Sequence, residues 1–190
     1  MALSSFVGLL ESALNGAWWR SFASSQRGRE AAQALNRAFV GFQIGYTSTA
    51  SGAVQSVTAT VPFDDTPPTT SEGTQVLSVA YTPQKIGSKL KISVLLNVSA
   101  SSAAVQVIAG LFKSGTTTAV ASAADRPGDV TGLHNVDIHY EETTTSLAPS
   151  TWTVRAGPSS AATITINGVG GVRSFGGTLL STITIEEIQQ

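Results

Sequence analysis

The sequence predicts a mainly β fold, an antiparallel jelly-roll-like sandwich of about eight to nine strands preceded by an N-terminal helical anchor. First, hydrophobic residues beyond residue 53 recur with a period close to two, which is typical of strands with one buried face. Second, no helical period interrupts them, so strand–helix–strand units are not expected. Third, only 12% of the residues are charged, against about 25% in typical soluble domains. An immunoglobulin-like sandwich is the second architecture that fits this pattern.

The first 45 residues are predicted to be a helical anchor and assembly segment. Apolar residues follow one another at spacings of three and four, which places them on one stripe of a helix. Gly28 marks a break before a second helical pattern. Helices this short are marginal alone, so we expect them to bind a partner. The stripe spans about two heptads, which is too short to decide whether the helices form a coiled coil or dock singly on a partner protein. The candidate anchor residues are Leu3, Val7, Leu10, Leu14, Trp18, Trp19, Phe22, Leu35, Phe39 and Phe42.

Residues 46–52 are small and polar, and we interpret them as a linker to a β-sandwich domain over residues 53–190. The clearest strand covers residues 90–98, where Leu, Ile and Val alternate with Lys, Ser and Asn. Apolar and polar residues also alternate over seven shorter stretches, at residues 57–63, 77–81, 105–111, 136–140, 152–154, 164–166 and 179–185.

Glycine pairs are expected at the connections of this domain. Gly157-Pro158 and Gly170-Gly171 are predicted to mark hairpins. Gly176-Gly177 is predicted to permit a close approach of two backbones, for example near a symmetry axis.

Several stretches of the second part share the pattern of one domain family. They are VPFDDTPPTTSEGTQVL at residues 61–77, KLKI at 89–92, VRAGP at 154–158, FGG at 175–177 and STITIEEI at 181–188. Together they resemble a domain of phage tail-fibre and head-fibre proteins, over residue 54 to the C-terminus. The resemblance implies a trimeric β-sandwich on the virion. The N-terminal residues match no pattern of that family, which leaves head or tail attachment open.

The sequence contains few arrangements that suggest catalysis or metal binding. Asp64 and Asp65 fit a polar turn better than a calcium site, because neighbouring side chains of an extended chain diverge. His134 and His139 are five residues apart and face opposite sides of a strand, which disfavours a shared metal. The chain has no cysteine and no Gly-x-Ser-x-Gly elbow. Residues 168–173 are predicted to form a glycine-rich hairpin and not a phosphate loop. We therefore expect no catalytic residues, no metal and no cofactor.

Charge and hydropathy limit the partners. The net charge is −1, and no basic stripe suggests nucleic acid. No apolar run approaches the roughly 18 residues of a membrane span. Trp18 and Trp19 would suit a membrane interface, but the few cations nearby favour burial against a protein partner. Exposed aromatic residues would indicate sugar binding, and the candidates are Tyr46, Tyr140 and Trp152. The alternation of their strands, however, places Tyr140 and Trp152 on the same face as the core residues.

These features favour a non-enzymatic structural component of a bacteriophage virion, a fibre or capsid decoration protein made in the host cytoplasm. The start of the chain shows no signal peptide. The expected partners are two further copies in a homotrimer, other phage capsid or tail proteins through the N-terminal segment, and host surface glycans. One alternative is a carbohydrate-binding receptor-recognition module of a tail fibre. Another is a depolymerase acting on cell-surface polymer.

Overall fold

A computed structural model describes residues 29–30 and 41–190, and from residue 41 onward the regular secondary structure is almost all β-strand. One short 3₁₀ turn covers Phe175–Gly177. In chain order the strands are β1 (Gln43–Ser51), β2 (Gln55–Val57), β3 (Thr74–Tyr81), β4 (Lys89–Ala100), β5 (Val107–Lys113), β6 (Ala121–Asp125), β7 (His134–Thr143), β8 (Ser150–Pro158), β9 (Ile164–Ile166), β10 (Gly168–Val169), β11 (Val172–Arg173) and β12 (Ser181–Ile188).

The strands form two large antiparallel sheets and a separate two-stranded hairpin, β10-β11. One sheet has the order β1-β12-β4, continued by β9 and β2, with β7 on the other edge of β4; the second has the order β3-β8-β5-β6. Without the short strands β2, β9, β10 and β11, eight strands remain. Counted in chain order, the first, eighth, third and sixth of these (β1, β12, β4 and β7) share one sheet. The second, seventh, fourth and fifth (β3, β8, β5 and β6) share the other. This is the strand order of a jelly roll and not that of an immunoglobulin sandwich. The predicted antiparallel β-sandwich is confirmed.

The core lies between the two sheets and follows the alternation of the sequence. In β4, Leu90, Ile92, Val94 and Leu96 are at most 2% exposed, because every second side chain of a strand points to the same face. Trp152 of β8 is fully buried among them, which confirms its interpretation as a core residue. Tyr140, assigned to the same face, is half-buried and packs on Trp152 with ring centroids 6.0 Å apart.

The segment predicted as a linker is a strand. Residues 46–51 belong to β1, which pairs with β12 from Gln43 opposite Ile188 to Ser51 opposite Ser181. The polar composition misled the sequence interpretation, because β1 is an edge strand and needs few apolar residues. Its Thr and Ser side chains fit a half-exposed pleated surface.

Two further expectations differ from the structure. Phe63, predicted to continue a buried face, is 66% exposed, since the chain has left the sheet before it. Gly157 and Pro158, predicted at a hairpin, lie within β8. A Cβ at Gly157 would collide with the carbonyl oxygen of Ala59, so glycine is needed there for close approach of two backbones.

The two ends of the sandwich differ. Residue 41 lies just before β1, and the N–H of Gly41 donates to the carbonyl of Gln189 at 2.7 Å. We call this the proximal end, and the end at which β1 finishes and β12 begins the distal end. At the sheet edges β1 lies against β3 and β6 against β7, so the two sheets enclose the core between the two ends.

Gly45 provides a test of how tightly the proximal end is packed. A Cβ at this position would collide with the hydroxyl oxygen of Tyr81 and lie 3.3 Å from the Cβ of Glu187. Gly45→Ala should therefore destabilise the protein by about 2–4 kcal/mol, because either the tyrosine moves or β1 does. Urea unfolding measures the loss.

The control is Gly128→Ala, where an added Cβ meets nothing within 4 Å. Adding Tyr81→Phe to Gly45→Ala removes the colliding oxygen, so the double variant should lose less than the sum of the two single losses. Strict additivity would show that Tyr81 does not limit this position.

Candidate functional site

Most of the predicted anchor residues lie outside the described part of the chain. These are Leu3, Val7, Leu10, Leu14, Trp18, Trp19, Phe22, Leu35 and Phe39. Phe42 is described and is not in a helix: its side chain is 59% exposed directly before β1. Residues 43–45, predicted within the helical segment, belong to β1, because this stretch pairs with β12. The helical anchor therefore stays a prediction.

The proximal end contains a pocket of about 180 Å³ between the two sheets, which we call the proximal pocket. Its walls come from the ends of β3, β5 and β7, the starts of β4 and β8, and the loop from β7 to β8. Apolar and polar groups contribute together, and the lining residues are Tyr81, Pro83, Leu90, Lys113, Glu142, Thr144, Thr145, Ser146, Ala148, Ser150 and Trp152.

An ion pair joins the two sheets at this pocket. Lys113 ends β5 and Glu142 lies near the end of β7, and their Nζ and Oε1 atoms are 2.6 Å apart. The lysine Nζ also lies 5.2 Å from the ring centroid of Trp152, within the range of a cation–π interaction. The side chains are 31% and 18% exposed, so the pair is partly shielded from water and its charges largely balance.

Trp152, which lines the pocket, has an unused hydrogen-bond donor. Its indole Nε1–H is buried and has no hydrogen-bond partner among the described residues. Buried tryptophan N–H groups usually find a partner, because leaving a donor unpaired costs about 1–3 kcal/mol.

Behind the pocket, the buried carboxylate of Glu187 fixes the β3–β4 connection. It accepts hydrogen bonds from Tyr81 Oη at 2.7 Å, from the N–H groups of Gln84 and Lys85 at 2.7 and 2.9 Å, and from Ser88 Oγ. Burial raises the pKa of Glu187, but the hydrogen bonds from Ser88, Tyr81 and the two backbone groups outweigh it and leave the pKa below its usual value. Burial, followed by the hydrogen bond to Glu187, raises the pKa of Tyr81.

At the distal end, Asn167 holds the connecting segments together. Its side-chain amide donates to the carbonyls of Ser51 and Ala53 at 2.8 and 3.0 Å, and its Oδ1 accepts from Ser181 Oγ at 2.7 Å. It adopts a left-handed backbone with φ of 57°, which asparagine tolerates better than most residues. Asn167 therefore fixes the start of β12 and the chain that leaves β1.

This fixed scaffold presents exposed apolar side chains, which we call the distal apolar surface. They are Val54, Val172, Phe175 and Leu180, with exposures of 37%, 70%, 71% and 44%. Phe175 also has a positive φ of 49°, a conformation that is unfavourable for an aromatic residue. Nearby, a Cβ at Gly52 would collide with the carbonyl oxygen of Gly177, so the predicted close backbone approach at Gly176-Gly177 occurs, within one chain.

The other sequence motifs are structural. Oδ1 of Asp64 accepts from the N–H and hydroxyl of Thr66 at 2.9 and 2.6 Å, which confirms the predicted turn and lowers the pKa of Asp64. Residues 168–173 form the predicted hairpin, with Gly170 and Gly171 at φ of 58° and 80°, as a type I′ turn requires.

The two histidines lie apart. His134 Nδ1 is 3.1 Å from Oδ2 of Asp125 at the distal end, whereas His139 is exposed and its Nδ1 lies 3.3 Å from Ser93 Oγ. Among residues 29–30 and 41–190 no group of three or more possible ligands could hold a metal. Within the same residues no helix is long and apolar enough to cross a membrane.

Sequence reasoning missed Lys113, Glu142 and Glu187. Each is a charged residue at a position that the alternation assigns to the buried face. Glu187 follows Ile183 and Ile185 at spacings of two, and Glu142 follows Ile138 and Tyr140. The signal that would have found them is a charged residue near a strand end, at a position that the alternation assigns to the buried face.

No family model and no curated protein matches this chain. Solved structures similar to it include Eiger TNF from S. frugiperda, with 10% identity over 75% of this chain and 92% of that one and a TM-score of 0.43. Another is the C-terminal domain of EclA, a sugar-binding protein, with 11% identity over 64% and 74% and a TM-score of 0.36. A third is a structure of the Gx strain of infectious bursal disease virus, with 12% identity over 77% and 38% and a TM-score of 0.37. These likenesses concern the arrangement of strands and carry no argument about function.

The Glu187 carboxylate should make stability depend on acid pH. Because its pKa is lower folded than unfolded, its stabilising effect is complete above the ordinary value of 4.5 and is lost as the pH falls through the folded pKa. Glu187→Gln should cost about 2–4 kcal/mol at neutral pH, since an amide cannot accept from four donors as a carboxylate does.

The stability difference between wild type and Glu187→Gln should be constant near neutrality and shrink in acid, as measured by urea unfolding across pH. Glu186→Gln, on the opposite face of β12, is the matched control and should change little. A Glu187→Gln loss that is the same at every pH would contradict an ionised carboxylate at this position.

Proposed function

We propose that this protein is a non-enzymatic structural component of a bacteriophage particle, a fibre or decoration protein. In this proposal the N-terminal segment anchors the chain, and the β domain projects outward as a homotrimer. The observation that carries the proposal is the place of the distal apolar surface, which stands on a hydrogen-bonded scaffold at the end opposite to the one where the chain enters the domain. Phe42 and Ile86 are also exposed, at the proximal end.

The attachment side is supported by the hydrogen bonds around residue 41. Gly41 donates to the carbonyl of Gln189 at 2.7 Å, and Gln189 donates to the carbonyl of Phe42 at 2.9 Å. These bonds fix the point at which the preceding segment joins the domain. A partner bound to that segment would hold the proximal end towards itself and leave the distal end pointing away.

The contact side is supported by the rigidity of the distal scaffold. Exposed apolar side chains supply area that a partner can bury. Here Val172 and Phe175 stand on a tight hairpin and a left-handed turn next to Asn167, whose side chain makes three hydrogen bonds. A backbone held in this way loses little conformational freedom on binding, which favours affinity.

The low charge of the chain supports assembly as well. A domain that stays alone in water usually presents more charge, and interface centres are depleted in charged residues. The expected mechanism is association through buried area and not catalysis. The second candidate function, carbohydrate binding, is favoured by the proximal pocket.

The location of the protein is the direct test of the proposed function. Antibodies raised against the purified β domain should label phage particles from a lysate of the bacterium that produces this protein, at one defined position, in immunogold electron microscopy. Preimmune serum is the control. Intact particles that contain no copy of the chain, by labelling and by mass spectrometry of purified virions, would overturn the proposal.

The distal apolar surface should mediate attachment to the host cell. Val172→Ser combined with Phe175→Ser should reduce binding of the labelled full-length protein to host cells about tenfold. The double substitution removes apolar area whose burial should contribute about 1.4 kcal/mol or more to the binding free energy. Flow cytometry measures the binding.

Ile86→Ser is the matched control, because Ile86 is 61% exposed in the proximal β3–β4 connection. All three proteins should have the mass of a trimer in native mass spectrometry. Equal cell binding by the double variant would remove the role of the distal surface, and a monomeric wild type at micromolar concentration would contradict the trimer.

A further inference from the structure

Two apolar side chains of the proximal loops are exposed, and we call them the proximal apolar surface. Ile86 belongs to the β3–β4 connection and is 61% exposed, and Leu147 belongs to the loop from β7 to β8 and is 46% exposed. We propose that the chain's own N-terminal segment covers them. The part that docks is the part next to the domain, residues 31–40, which lie outside the described part of the chain. This docking goes beyond the proposed function, because it does not depend on residence in a particle.

The proximal apolar surface stands on two connections that hold each other in place. The N–H of Gly87 donates to the carbonyl of Thr144 at 2.8 Å, and the N–H of Thr144 donates to the carbonyl of Ser88 at 2.8 Å. Ile86 directly precedes these hydrogen bonds, and Leu147 follows them by three residues. Both side chains are therefore presented by a fixed backbone, which loses little conformational freedom when a segment covers it.

The register of the first sheet places this surface within reach of the segment. Gln43 of β1 lies opposite Ile188 of β12, which lies opposite Lys89 of β4. Lys89 in turn lies opposite Thr143 of β7. Neighbouring strands are about 4.8 Å apart, so this row is about 14 Å long, and the proximal apolar surface lies beyond its β4 and β7 end. Ten residues span about 15 Å in a helix and more when extended, so residues 31–40 can cross the row.

The backbone at residue 41 turns the chain before it enters the domain. Gly41 has a positive φ of 84°, and a Cβ there would meet nothing within 4 Å, so the backbone angle and not a lack of space favours glycine. Glycine in a left-handed conformation commonly follows the last turn of a helix. The chain that precedes Gly41 therefore does not continue the line of β1, and it can run across the proximal end.

The composition of the segment matches the surface. Ala32, Leu35 and Phe39 follow one another at spacings of three and four, which predicts one apolar side. An amphipathic helix of this length is marginal alone and is stabilised when its apolar side is buried. The domain presents apolar side chains at the end where the segment joins it, and a tethered segment has a high effective concentration there. Any separate protein would have to compete with it.

Cysteine reactivity tests the docking, because the chain has no cysteine of its own. Ile86→Cys and Leu147→Cys are made separately in the full-length protein, and a thiol reagent measures how fast each reacts. The reference is the same cysteine in a chain with Leu35→Ser and Phe39→Ser, in which the segment is released. Docking should make both cysteines react at least about tenfold more slowly than in the reference, which corresponds to a docking free energy of about 1.4 kcal/mol.

Val172→Cys is the matched control, because Val172 is exposed at the distal end. It should react equally fast with and without the two serine substitutions. Leu35→Ser alone and Phe39→Ser alone should each give part of the release, and circular dichroism checks that the β domain is folded in every variant.

Equal rates with and without the serine substitutions would overturn the proposal. Equally fast reaction would show that the surface is uncovered, and equally slow reaction would assign it another occupant. Protection that the serine substitutions relieve but that is also lost on dilution would show docking on a second copy, which contradicts docking within one chain. None of these results bears on whether the protein resides in the particle, which the labelling of virions decides separately.

Discussion

The buried carboxylate of Glu187 is the interaction on which the proximal half of the structure depends. A charge inside a protein is tolerated only when hydrogen bonds replace its hydration. Here four donors do so, two of them backbone N–H groups of the β3–β4 connection. The same contacts bring Tyr81 against β1 and require glycine at position 45. Sequence, loop conformation and sheet packing are thereby linked through one side chain, and a wall of the proximal pocket is fixed as a result.

Asn167 has the equivalent role at the other end with a neutral group. Its amide connects the end of β1 to the start of β12, which are partners in one sheet. Each end of the jelly roll therefore contains a buried polar residue that holds its connecting segments together. Such groups specify a geometry, because the hydrogen bonds are satisfied in one arrangement only. That specificity is what allows a loop-rich end to present fixed side chains, a pocket at one end and an apolar surface at the other.

The sequence predicted the sandwich well because apolar and polar residues alternate most clearly in strands that have one buried and one exposed face, as in β4. The glycine hairpin at residues 168–173 and the Asp64 turn were predicted from local chemistry alone, which needs no tertiary information. The edge strand β1 was not predicted, since half-exposed Thr and Ser carry no apolar alternation. Lys113, Glu142 and Glu187 were missed because each is a charged residue at a position where the alternation of its strand predicts a buried apolar one. Their interaction partners also lie far away in sequence. Such interruptions are the places where a buried polar network or a binding site is to be sought.

The opposition of the two ends gives the domain a direction. In a jelly roll, the long strands run between the ends, so loops at one end can change without disturbing those at the other. The Glu187 network and the proximal pocket lie together at the end where residue 41 enters. The distal apolar surface lies at the end held by Asn167, and further apolar side chains, Phe42 and Ile86, are exposed at the proximal end. Because the β core between them is closely packed, a contact made at the distal end needs no rearrangement at the proximal end. This separation lets a tethered domain bind its target at one end while its attachment at the other end stays unchanged. For that reason we assign the two ends different partners.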